Sequence, residues 1–395
     1  MRHIGDDERR ARLARRHGIA PQHRHPDPVA ATRAMTALHA TEPATVALSL
    51  QARVEGFTVA DLDRALYADR SLVRQLAMRR TLFVFPRELL PAALGSAAAR
   101  VAAVEAKRLA KDTAASGLAE DGEAWVARAT DAVLALLAGT PEGLGTTELR
   151  GRVPEIAGTI TVSPGTKWGG EIPVGPRVLT LLGARGDIVR SRNDGHWRVS
   201  RHRWAPMADW LGERPDWSGE DVGYATIVRR WLTTFGPGTE SDLGWWLGAT
   251  KAAVRRALAD VEAVEVALDG GRRGWVLPDD VEPVADHEPW AALLPVLDPT
   301  TMGWKQREFY LDPADTPHLF DRNGNAGTTA WWRGRIVGCW VQDDDATVRV
   351  VLRRDPGADA RAALDREAER LTTWLDGVRV TTVYSSPQMK SARPA

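Results

Sequence analysis

The chain has 395 residues, enough for about two to four domains with real cores, and its hydrophobic (44%) and charged (26%) fractions are those of an ordinary soluble globular protein. Its 52 basic and 52 acidic residues cancel, which argues against a non-specific nucleic-acid coat protein but leaves local basic patches free to bind DNA. The single cysteine, Cys339, excludes an internal disulfide and a cysteine-rich metal site, and no cofactor is implied: the sequence contains no Gly-rich phosphate loop, H-E-x-x-H, C-x-x-C, EF-hand loop or G-x-S-x-G.

Met1 to Glu8 lacks the apolar core of a secretion signal, and no stretch approaches the roughly 20 apolar residues of a membrane span. A cytoplasmic protein without membrane contact is therefore expected. Residues 7–20 carry an Arg-rich face (Arg9, Arg10, Arg12, Arg15, Arg16) and read as an amphipathic helix over a solvated or phosphate-facing surface. His23 and His25 stand in loop-like sequence and make no metal case. Helical texture begins at Asp27 and reaches a junction at His39-Ala40-Thr41-Glu42-Pro43. Pro43 disfavours helix at Glu42 and opens a new helix near Ala44, which Gly56 ends.

The next stretch introduces a repeated unit. Thr58-Val59-Ala60-Asp61-Leu62 has the form T-x-x-D-L, as does Thr239-Glu240-Ser241-Asp242-Leu243, and Gly145-Thr146-Thr147-Glu148-Leu149 is a weaker copy. The Thr hydroxyl caps a first helical turn and the acid answers the helix dipole. In both strong copies a Val-Arg pair stands at the same offset from the Leu, Val73-Arg74 and Val254-Arg255. A capped short helix, a turn and a second helix carrying Arg describe a helix-turn-helix, and β-rich sequence after it makes a winged helix. In the first unit the second helix is expected from Ser71 to Met78, followed by a strand at Thr81–Phe85 that Pro86 closes.

Residues 87–138 are Ala-rich and helical. The second unit has its middle helix at Gly145–Val153, a Gly-rich insertion at Pro164–Gly170, and a helix at Pro176–Ala184. Asp187–Arg192 is expected to pair with His196–Ser200 across Asn193-Asp194-Gly195. That wing carries Arg190, Arg192, Trp197 and Arg198, a basic hairpin with an aromatic suited to phosphate or groove contact; the competing reading is a solvated hairpin. The third unit places helices at Tyr224–Thr233, Asp242–Leu247 and Lys251–Leu258, then wing strands around Asp269-Gly270-Gly271. Arg79 and Arg80 of the first unit and Arg272 and Arg273 of the third wing complete the candidate DNA contacts. From Trp290 the texture changes to strands (293–297, 328–332, 335–341, 348–352), a helix at Ala358–Leu375 and a last strand at Val378–Tyr384. The expected fold class is α+β: tandem winged-helix (helix-turn-helix) domains followed by a C-terminal antiparallel β-barrel-like domain, with divisions at 1–90, 91–210, 211–284 and 285–395.

His39 and Thr41 stand out at the junction before Pro43, where polar side chains leave an apolar bundle. Together they can hold one water, the imidazole accepting and the hydroxyl orienting. A lone histidine at such a place also serves as a purely structural residue.

Several segments resemble one family, the bacterial AlkZ-like and YcaQ-like winged-helix DNA glycosylases of the azinomycin-resistance type. They are Ala37–Pro43, Leu48–Arg53, Met78–Leu82, Leu294–Pro299, Arg322–Asn325 and Gly334–Trp340, in order, within a match from about Ala30 to Thr382. The resemblance implies a C-shaped assembly of winged helices that excises alkylated purines, including bulky N7-guanine adducts, from double-stranded DNA, and that protects a producer of a genotoxic natural product. It implies a monomer without cofactor or metal. In the family a Gln-x-Gln or Gln-x-Asp motif positions the attacking water, and those positions are His39 and Thr41 here, a departure from the pattern. Glu42 is a further candidate, as electrostatic partner of a cationic sugar. No lysine stands near His39 to form a Schiff base, so a monofunctional enzyme is expected. The alternative is a non-catalytic winged-helix DNA-binding protein or regulator.

Overall fold

The three expected helix starts all form. Asp61 N–H donates to the Thr58 hydroxyl at 3.3 Å while Thr58 N–H donates to the Asp61 carboxylate at 3.0 Å. Thr239 and Asp242 repeat that exchange at 3.0 and 3.1 Å, and Glu148 accepts from the backbone of Gly145 at 2.7 Å. The chain is seen here as a computed structural model that describes residues 1–162, 169–213, 215–285 and 288–392. Most of the Gly-rich insertion at Pro164–Gly170 lies outside the described residues.

Beyond the helix starts the three units diverge. The third is as expected, with helices at Glu220–Phe235, Glu240–Leu247 and Lys251–Asp260 followed by a hairpin of Val264–Leu268 and Arg273–Val276. The N-terminal strand His3–Ile4 adds to this hairpin in parallel. In the first unit the second helix is absent. Leu72–Ala77 is a strand, paired antiparallel with Thr81–Pro86 from Leu72↔Pro86 to Ala77↔Thr81. Val73, Gln75 and Ala77 are buried and alternate with half-buried Arg74 and Leu76, so the segment presents two faces to neighbours rather than one helical stripe. The strongly β-forming partner Leu82-Phe83-Val84-Phe85 supplies the pairing that overrides local helical character. The hairpin turns through Arg79 and Arg80, both left-handed at φ 54° and 60°. Non-glycine residues there cost on the order of 1 kcal/mol each, and the turn lacks the Asn-Gly signature by which a hairpin is read from sequence.

The second wing is also re-registered. Ile188–Asn193 pairs with His202–Pro206, not with His196–Ser200. Asn193 holds the intervening loop closed: its side chain donates to the carbonyls of Gly195 and Val199 and accepts from Arg201 N–H at 2.7 Å. The Arg face of residues 7–20 is likewise corrected. On the helix Asp6–Arg16, Arg9, Arg10 and Arg12 are buried. Arg12 pairs with Glu8 and Asp280, and Arg9 lies over the Phe309 ring at 3.6 Å.

The C-terminal part is an open sheet, not a closed barrel. Its strands run in the order Ala291–Leu294, Thr329–Trp332, Arg335–Gln342, Val348–Leu352, all antiparallel. The helix Ala358–Leu375 covers one face, packing Leu364, Leu371 and Leu375 on Leu293 and Trp340. Residues 378–384, expected as a last strand, are irregular, so no strand joins the two edges. Cys339 is buried in this sheet and its thiol is pushed up to about 12 by burial. One continuous core joins the first unit, the third unit and this sheet, while the second unit has its own core around Leu109, Val133 and Leu182. The helical stretch Arg87–Ala115 links the two cores. It is long and apolar enough to cross a membrane, but more than half of its most apolar part is buried within the protein.

Candidate functional site

His39 does not sit between helices. It lies on a two-residue strand, Leu38–His39, that pairs with Val84 and Phe83 and extends the sheet of the first unit. The ring is 7% exposed and meets Phe83 edge-on at 5.3 Å. Burial, and then the positive charge of Arg79, push its pKa down to about 3, so the imidazole is neutral across the physiological range. Its Nδ1 is buried without a hydrogen-bond partner. Buried polar atoms are almost always satisfied, by protein groups or by ordered water, and this one stands open beside a charged group.

Two arginines approach this site from different units. The Arg79 guanidinium lies 4.1 Å from the centre of the Trp245 ring, and that of Arg307 lies 5.2 Å from the same ring and 4.6 Å from Phe320. Arg79 is pushed down to about 10, first by burial and then by Arg307. Among the described residues neither forms an ion pair with an acid, an arrangement that suits an incoming anion. The capping acid Asp242 places Arg307: one carboxylate oxygen caps the helix Glu240–Leu247, and the other accepts from Lys305 and Gln306 N–H at 2.9 Å each. The same helix carries Trp245, so one buried carboxylate aligns both the ring and the arginine that lies on it.

The helix Pro43–Arg53, which begins immediately after Glu42, is fixed at its far end by a fully buried ion pair. Arg53 makes two parallel bonds to Asp298 at 2.8 and 2.7 Å, both side chains being 0% exposed. Ser49 donates to the same carboxylate at 2.8 Å, and Thr300 accepts from Arg53 at 2.7 Å. The short motifs Leu48–Arg53 and Leu294–Pro299 thus meet in three dimensions. Nothing in their spacing announced the contact.

Thr41 is exposed at the bend after the strand, and Glu42 beside it is half-buried. The Glu42 carboxylate accepts from the Thr382 hydroxyl at 3.0 Å, and burial raises its pKa. It lines a cavity of about 100 Å³ with Leu48, Val296, Trp340, Val380 and Met389. His39 and Thr41 are not part of that lining, so the three candidate catalytic side chains do not converge on one point.

The other candidate DNA contacts are dispersed. Arg80 pairs with Glu105 at 3.0 Å, Arg192 with Asp194 at 3.4 Å, Arg272 with Glu308 at 2.9 Å and Arg273 with Glu265 at 3.1 Å. Trp197 packs edge-on against Trp374 at 5.6 Å, and Arg198 donates to the Arg379 carbonyl, so the loop of the second wing leans on the C-terminal part. Among the described residues Arg190 has no acid partner, and it lies 5.3 Å from the Trp204 ring. Arg307 and Trp245 escaped notice in the sequence because the loop that carries Arg307 has no motif. Among the described residues no three His, Cys, Asp or Glu side chains are placed to hold a metal ion.

Burial holds His17, His39 and His202 neutral and lowers the pKa of His25 as well. His17, between Thr300 and the Thr234 carbonyl, lies well below 6.5, and His39 and His202 lie near 3. The unfolded chain takes up protons at these rings near pH 6.5 and the folded chain does not. Stability is therefore full above about 6.5 and falls as the pH drops toward 3. Urea midpoints are expected to fall between about pH 7 and about pH 5, and a His17→Gln/His39→Gln variant should show a smaller fall. An equal fall in both would show that other groups carry the acid sensitivity.

A family model described as DNA glycosylase AlkZ-like matches residues 32–374. The structure superposes on the Streptomyces sahachiroi DNA glycosylase AlkZ with a TM-score of 0.73, covering 96% of this chain and 99% of that one at 22% identity, which shows a shared fold. No curated protein sequence matches the chain. With the family model spanning most of its length, the chain belongs to the AlkZ-like DNA glycosylases, and DNA is its substrate.

Proposed function

We propose that this glycosylase hydrolyses the N-glycosidic bond of N7-alkylated guanines in duplex DNA, bulky adducts included, and that it acts as a monomer and without a lyase step. The reading is carried by the open Nδ1 of a neutral, buried His39 next to the acid-free Arg79. An N7-alkylated guanine is already cationic and leaves without a strong acid. The demand on the protein is a water placed at C1′ and tolerance of a sugar with oxocarbenium character. A neutral imidazole accepts the water's proton as the C1′–N9 bond breaks and the new C1′–O bond forms. Thr41, exposed at the bend two residues on, is the candidate to orient that water once DNA is bound. Glu42 acts at longer range, as a carboxylate beside the developing positive sugar.

Positive side chains next to a forming cation would slow this reaction. The Arg79–Arg307 pair on Trp245 fits only if a phosphate neutralises it, and the backbone phosphate beside the lesion meets that need. In this reading the helices and hairpin of residues 220–276 act as a winged helix that presents the Trp245 face to DNA. The test is base release from duplexes carrying N7-methylguanine or a bulky N7 adduct, with abasic sites cleaved by alkali and separated on a gel. Release of the adducted base is expected; tight DNA binding without release of either would replace this reading by a non-catalytic binding protein.

A further inference from the structure

We propose a second phosphate-binding site, formed by Arg74, Arg190 and His202 at the seam between the first and second units, that grips the DNA backbone apart from the His39 centre. Arg74 stands on the strand Leu72–Ala77, Arg190 on Ile188–Asn193 and His202 at the start of His202–Pro206. Each is held by an aromatic neighbour. Arg74 donates to the Tyr67 hydroxyl, Arg190 lies 5.3 Å from the Trp204 ring, and His202 meets that ring edge-on at 4.7 Å. Arg74 and Arg190 line one small cavity of about 30 Å³ with Thr180 and Trp204. That is room for about one water-sized group, such as a phosphate oxygen, and too little for a base.

The charge balance of the seam points to an anion. Among the described residues neither arginine forms an ion pair with a carboxylate; Asp63 senses the charge of Arg74 from beyond ion-pair reach. Both arginines act on His202, whose Nε2 is buried without a partner while Nδ1 meets the Ser200 hydroxyl at 3.0 Å. Two guanidinium groups, half-buried together without an acid, repel one another in the free protein, and the neutral imidazole beside them offsets none of that charge. A phosphate diester removes that repulsion and offers acceptors to all three. The strand hairpin that carries Arg74 also carries Arg79 at its turn, so one hairpin bears a cation for each of two phosphate sites. The site depends on DNA as ligand and not on which lesion is excised or on the role of His39.

The experiment is duplex binding as a function of salt, with wild type, Arg74→Gln/Arg190→Gln, Thr180→Glu and the remote control Arg361→Gln. Losing one phosphate contact should lower the slope of log K against log salt by about 0.9 and weaken binding roughly ten-fold at moderate salt, with no dependence on sequence. Thr180→Glu places a carboxylate beside both arginines, so it should weaken DNA binding while raising thermal stability, which separates the site from simple misfolding. Inorganic phosphate, added to the full chain, should shift the His202 ring nitrogens in a long-range proton–nitrogen spectrum of wild type but not of the double variant. Unchanged slopes in the double variant and in Thr180→Glu overturn the site. A His202 shift with inorganic phosphate but unchanged DNA slopes also overturns it, by showing that a free anion and not DNA is held. Base release by Arg361→Gln should match wild type; if wild type releases no base yet the slopes change as stated, the phosphate site stands and the catalytic reading falls.

Discussion

Replacing His39 by alanine is expected to lower the single-turnover rate of N7-alkylguanine release by about 10²–10⁴-fold, the usual range for a positioned general base, with duplex affinity changed less than about three-fold. The affinity is spared because the 7%-exposed ring offers DNA little contact surface of its own. His39→Gln restores the residue type that the family resemblance places here, and a good part of the rate should return. The pH profile separates a chemical role from a packing role. Because the ring titrates near 3 and not near 6.5, the wild-type rate should stay level from about pH 5 to about pH 8. A rate that falls as the pH drops below about 6.5, or a fully active alanine variant, would remove His39 from the mechanism as proposed.

The second large effect is on stability. Asp298→Ala should cost about 3–5 kcal/mol, because it strands the Arg53 guanidinium in a fully buried site and takes the acceptor from Ser49 and from the Thr300 backbone. Equilibrium urea unfolding measures it. Removing both charges, as in Arg53→Met/Asp298→Leu, should recover most of the loss, since the penalty lies in the uncompensated charge and not in the pair itself. If the double variant is as unstable as Asp298→Ala, the hydrogen bonds to Ser49 and Thr300 matter more than the charge. The same ion pair ties the helix that follows Glu42 to the C-terminal sheet. Residual folded Asp298→Ala protein should therefore release base more slowly even where it is fully folded.

Much of the architecture was legible from residues acting on their immediate neighbours. The caps at Thr58 and Thr239 work within one turn of helix, and both form. The third unit and the helix Ala358–Leu375 carry clear helical periodicity bounded by turn residues, and both stand within a few residues of expectation. The family, too, was carried by short motifs in order. The catalytic candidates are a different matter: His39 and Thr41 could be named from the junction before Pro43 and from the resemblance, but their surroundings could not.

What the sequence determined by itself was therefore local: where helices start, which residues cap them and which short motifs the chain carries. The tertiary structure decided the rest, because the competing terms were long-range. Leu72–Ala77 became a strand since Thr81–Pro86 offered a complete ladder and two buried faces, which no window of neighbouring residues contains. The Arg face of the N-terminal helix turned inward because Asp280 and Phe309, far along the chain, supplied a carboxylate and a ring. The sheet stayed open because the helix Ala358–Leu375 took the apolar face and the following segment lined a cavity. The charge state of His39 and the meeting of Arg79 with Arg307 over Trp245 arise from burial and from Coulomb interactions between residues far apart in the chain. Those forces depend on distance in space and on the dielectric around each group, and only the folded chain sets either.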